Sequence, residues 1–174
     1  MKILHTSNGE LVNYSLYEIQ PKIYAVQVEN SYERAMLFVR AQEYYESPFK
    51  QFRGKTFCMF SFMNYYRTHW QKDDFTYTSD WAGYNIPGYI LETCMEELLN
   101  DVSIVTPYDR EMSNILGKIR ETQPTGKFYL IGVDSVDSWI MNHEFAHALY
   151  YTDAKYKKEM CGLIDKLDPV VREK

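Results

Sequence analysis

Long apolar runs are missing from this sequence: nowhere do enough consecutive apolar residues occur to cross a bilayer as a helix. The opening stretch, MKILHTSNGELVNY, holds no apolar core of signal-peptide length. The expectation is a chain neither exported by a standard signal nor embedded in a membrane. Cysteine is scarce and odd in number. Cys58, Cys94 and Cys161 are far apart and form no C-x-x-C pair, which excludes an even disulfide framework and points to a reducing compartment, read as the cytoplasm. No run of Lys and Arg is long enough to build a basic surface, and the net charge is −5 with pI ≈ 5.4, so nucleic acid is not an expected partner. Lys155, Lys157 and Lys158 read as the solvated face of a helix. There is no repeat, low-complexity tract or linker rich in Pro, Gly or Ser, and residues 1–174 read as one domain.

Aromatic residues are plentiful instead: 16 Tyr, 9 Phe and 3 Trp make 16% of the chain. Tyrosine buries a ring while keeping a polar tip, so these residues fill a core and its edges and can line amphipathic grooves.

The chain reads as a mostly helical α+β domain with a small sheet. Two short strands flank the turn signal Ser7-Asn8-Gly9-Glu10, and Lys22–Glu29 is a further strand. Asn30, with Glu33 three residues on, opens a helix that runs through Glu46 and ends at Ser47-Pro48. Thr56–Trp70 reads as a helix and the aromatic, glycine-broken stretch Phe75–Tyr89 as a structured loop. Pro87 suits the start of a helix to about Asn100, and Thr106 caps another to about Thr122. The apolar run Lys127–Val133 is a strand, and Asp134 and Ser135 offer a cap for a helix over Ser135–Tyr151.

That last helix carries His143-Glu144-Phe145-Ala146-His147, an H-E-x-x-H pattern. Four residues on a helix advance about 400°, so both imidazoles leave one face a turn apart and can grip one cation. Zinc accepts imidazole nitrogen and tolerates an open coordination position. Glu144 is rotated about 100° from His143, beside the ion rather than on it, where it can act as the general base for a metal-activated water. The helix is apolar nearly all round, which predicts that it is buried together with both histidines. His5 and His69 read as ordinary surface or loop histidines.

A two-histidine site needs a third protein ligand. Asp153 stands six residues after His147, but the turning position is Tyr150 rather than Gly, and Thr152-Asp153 looks like the cap of a following helix. If the chain reverses there into an αα-hairpin, Glu159 falls between the levels of His143 and His147. Glu159 is therefore the preferred ligand and Asp153 the alternative.

On HEFAH, the strand before it and the helix with Glu159, about a quarter of the chain, the sequence resembles the zincin metallopeptidases of the gluzincin type. The resemblance implies a zinc-dependent hydrolase of peptides or proteins, a sheet edge near the active helix with which extended substrate pairs, and a third ligand from a later helix, which maps onto Glu159. It also implies a Tyr, His or Arg that stabilises the oxyanion, with Tyr151 and Tyr156 close in sequence. The segments RAMLFVRAQEYYESPF and FTYTSDWAGYNIPG resemble small proteins of large tailed phages, which would make the compartment a host cytoplasm. A second reading keeps the frame without turnover, as a binding protein whose contact surface is the aromatic stretch Phe75–Tyr89. A structural zinc would need four protein ligands, often Cys, and Cys161 is the one cysteine near the hairpin.

Overall fold

Alternating side chains build a five-stranded sheet with helices on both faces. The computed structural model describes residues 1–9 and 11–166. Strands β1 (Lys2–Asn8), β2 (Asn13–Gln20) and β3 (Ile23–Gln27) form an antiparallel meander. Between β2 and β3, Pro21 fixes the first turn position and Lys22 takes the left-handed conformation at φ 75°. Two later strands complete the sheet, β4 (Tyr84–Pro87) and β5 (Tyr129–Val133), in the order β1-β2-β3-β5-β4. β5 runs parallel to β3, and β4 lies antiparallel to β5 at the sheet edge.

Period-two alternation divides the strands between two cores. Tyr24 and Val26 of β3, Leu130 of β5, and Tyr84 and Ile86 of β4 face the larger one. There they meet α1 (Ser31–Glu46), α4 (Gly88–Leu99) and α5 (Pro107–Thr122). Gly132 lets α1 approach β5, since a Cβ there would stand 2.5 Å from the Phe38 ring. Ile23, Ala25, Tyr129, Ile131 and Val133 face the opposite way, onto α6 (Trp139–Thr152). The remaining helices are α2 (Met59–His69), α3 (Tyr77–Asp80) and α7 (Ala154–Ile164).

Capping chemistry sets the long helices. The Asn30 side chain accepts from the backbone N–H of Tyr32 and Glu33, and Thr106 with Asp109 forms a full capping box. The α+β class holds, with two local corrections. Phe75–Tyr89 is not a loop throughout: it contains α3 and β4, and Tyr84 and Ile86 are buried. The histidine helix begins a turn later than the sequence suggests, at Trp139. Ser138 rather than Asp134 or Ser135 is its cap, accepting from Met141 N. Among the described residues no helix is long and apolar enough to cross a membrane.

Candidate metal centre

Packing on the sheet decides which stripe of α6 turns inward. Ile140, Met141, Glu144 and Ala148 are buried, and the four-residue steps from 140 to 148 lie along one line of the helix. His143 and His147 each precede a buried position by one residue, so they emerge on the flank and both are exposed. This corrects the expectation of two buried histidines. The buried member of the motif is Glu144, 7% exposed.

The two imidazoles meet at their tips, with Nε2 of His143 and His147 3.3 Å apart and the rings inclined at 76°. Two nitrogens bound tetrahedrally to one zinc at about 2.0–2.1 Å stand about 3.3–3.4 Å from each other. The separation therefore matches that of two imidazoles on one zinc. The Glu144 carboxylate completes a group whose donor atoms all lie within 4.8 Å of one another. Among the described residues no further His, Cys, Asp or Glu joins it.

Glu144 is held from the edge strand. β4 presents Tyr84 and Ile86 to the larger core, so Asn85 between them points to the α6 side. Its Nδ2 donates to Glu144 Oε2 at 2.6 Å, and its Oδ1 accepts from the Tyr129 hydroxyl at 2.6 Å. A carboxylate only accepts, so the amide nitrogen must face Glu144, and the phenol then supplies the proton on the other side. Burial, with Tyr45, Glu46 and Glu144 nearby, pushes the Tyr129 phenol well above its ordinary range and keeps it a donor. Gly83 clears the space: a Cβ there would stand 2.6 Å from Ile140 Cγ2 and 2.7 Å from Glu144 Oε1.

The structure does not bring Glu159 to the histidines. Tyr150 contacts Cys161 Sγ at 3.5 Å through its hydroxyl and receives the Lys157 ammonium over its ring at 4.9 Å. Lys157 and Cys161 thus define the side of α7 turned toward α6. Glu159, two residues from each, lies about 200° round the helix. It is exposed and paired with Lys155 at 4.0 Å. Asp153 caps α7, accepting from Lys155 N at 2.8 Å and Tyr156 N at 3.1 Å. Cys161 is a free thiol.

His5 packs against Tyr14 on the sheet, and His69 sits among Phe49, Tyr65 and Trp70. Neither belongs to the group. Tyr151 packs on Tyr129 with ring centroids 5.2 Å apart, whereas Tyr156 is half-buried on α7.

No protein-family model matches the chain, and neither a curated protein nor a solved structure does. Asn85, Gly83 and Tyr129 are the contributors that the motif alone does not reveal. The available signal was a polar residue between two apolar ones, Tyr84-Asn85-Ile86, a strand pattern cut short by Pro87.

Proposed function

We propose that the chain is a zinc-dependent peptidase of zincin-like build, with His143 and His147 as the metal ligands supplied by the described residues and Glu144 as the general base. The observation that carries this reading is the 3.3 Å Nε2–Nε2 separation with a buried carboxylate in the same donor group. His143 and His147 would hold a divalent ion, and such an ion would supply Lewis-acid polarisation of a carbonyl and a more acidic water. Glu144 takes a proton from the attacking water and returns it to the leaving amine. Asn85 ties up Oε2 and leaves Oε1 for that transfer. Peptide enters along β4, whose outer edge pairs with no strand among the described residues, and adds to it by backbone hydrogen bonds. β5, the strand directly before the motif, has β3 and β4 on its two sides and offers no edge.

The test is zinc content beside hydrolysis of a labelled casein. Wild type and Glu159→Ala should each hold about one zinc, while His143→Ala and His147→Ala hold none. Glu144→Gln should keep the metal and lose hydrolysis. Failure of wild type to take up supplied zinc, or full turnover in Glu144→Gln, would overturn the reading. The alternative, a binding protein on the same frame, draws on exposed Trp81 (44%) and Tyr89 (55%) within Phe75–Tyr89. It predicts peptide binding with no turnover in any zinc-loaded form.

A further inference from the structure

Beyond the histidine pair, α6 and the edge strand continue into a cluster of tyrosines. Tyr151 follows His147 by four residues and so leaves α6 on nearly the same face, about 6 Å further along the axis. Across from it stands Tyr89, in the first turn of α4 immediately after β4. The two rings are near parallel, inclined by 20° with centroids 6.5 Å apart. Gly88 fixes this approach. Its N–H donates to Phe128 O at 2.8 Å, extending the β4–β5 pairing, and its bare Cα lies against the Phe128 ring.

Tyr129 forms the floor, with its ring 5.2 Å from Tyr151 and its hydroxyl on Asn85, which in turn holds Glu144. The ring cluster is therefore continuous with the candidate base. Tyr89 remains 55% exposed at its mouth. Tyr129 is buried and its hydroxyl engaged, so the surface open to a ligand is the exposed Tyr89 ring together with the uncovered part of half-buried Tyr151.

We infer that Tyr89 and Tyr151 form a side-chain subsite that selects peptides with an aromatic residue within two positions of the cleaved bond; this rests on the peptidase reading. Successive residues of an extended peptide advance about 3.3–3.4 Å, so two positions cover the rise of about 6 Å that separates Tyr151 from His147 along α6. Aromatic partners suit near-parallel rings through offset or edge contacts. Basic side chains do not, because the Lys127 ammonium already lies over the Tyr151 ring at 5.2 Å. Acidic ones gain little, because that ammonium is engaged by Tyr151 O at 2.9 Å.

The experiment titrates blocked pentapeptides, two glycines on either side of Phe, Lys or Glu, into metal-free wild type, followed by NMR. Cleavage of the same peptides by zinc-loaded wild type is scored in parallel. The Phe peptide should bind about fivefold more tightly than the other two, and Tyr89→Ala should remove that preference. Tyr89 is 55% exposed, so this variant is expected to keep its fold. Tyr151→Leu, at the half-buried partner, should act the same way. Equal binding of all three peptides, or a Phe preference that survives Tyr89→Ala, would overturn the subsite even if zinc-loaded protein cleaves them. A Phe preference lost in Tyr89→Ala, with no cleavage by zinc-loaded wild type, would instead overturn the peptidase reading and leave an aromatic-binding site.

Discussion

The Asn85 amide nitrogen meets the Glu144 carboxylate at 2.6 Å, joining the edge strand to the histidine helix across 59 residues of sequence. A buried carboxylate without a donor loses the compensation for its desolvation, so this bond matters to the fold as well as to the orientation of Glu144.

Asn85→Leu should therefore destabilise the metal-free protein by about 1–3 kcal/mol in urea unfolding. Asn85→Asp should cost more at pH 7, because it sets a second carboxylate beside the first. In a Glu144→Gln background the penalty of Asn85→Leu should shrink, since a neutral amide loses less than a charged group. Equal penalties in both backgrounds would show that Asn85 supports the strand rather than the carboxylate.

Local signals carried much of the fold. α1 and α5 were legible nearly to the residue because Asn30 with Glu33 and Thr106 with Asp109 are caps whose chemistry is complete within four positions. β5 was legible as an apolar run. The facing of α6 was not. Its residues are apolar on most sides, so periodicity chooses no inward stripe, and the choice of Ile140, Glu144 and Ala148 follows from contact with β5 and β4. β4 carries a weak strand signal because it has four residues, ends in proline and lies between two glycines. Residue count from the turn gives the height of Glu159 along α7 but not its rotation about the helix axis. The Tyr150 contacts with Lys157 and Cys161 supply that rotation.

Cys58 and Cys94 should separate by reactivity. Cys58 is exposed at the cap of α2, and the Ser61 backbone N–H draws its thiol below the ordinary range. Burial pushes the Cys94 thiol up to about 12. A lowered value means more thiolate at neutral pH, and a raised one means almost none. Iodoacetamide at pH 7.5 should label Cys58 first and leave Cys94 untouched until the protein unfolds. Mass spectrometry of a time course reads this directly. Comparable rates at both positions would contradict the burial of Cys94.

The deepest electrostatic commitment lies on the opposite side of the sheet, in the larger core. Arg40 and Asp109 are each about 1% exposed, with Nε 3.3 Å from Oδ1. Arg40 also donates to Ile104 O at 2.6 Å and sits 4.9 Å over the Phe57 ring. Asp109 accepts from Thr106 N at 2.6 Å within the capping box. Desolvation pulls the guanidinium down from its ordinary value, and Asp109 is the main group opposing that pull. Removing the two partners is then asymmetric. Asp109→Ala strands a buried cation and removes the carboxylate half of the α5 capping box, so it should cost about 3–5 kcal/mol. Arg40→Met keeps the Thr106 contact and the favourable position of Asp109 at the helix N-terminus, so it should cost less. The double variant should cost less than the sum, because neither charge is left alone. Urea melts of the metal-free proteins at pH 7 measure all three. Additive penalties would mean that the two side chains pack independently and that the pair does not tie α1 to the start of α5.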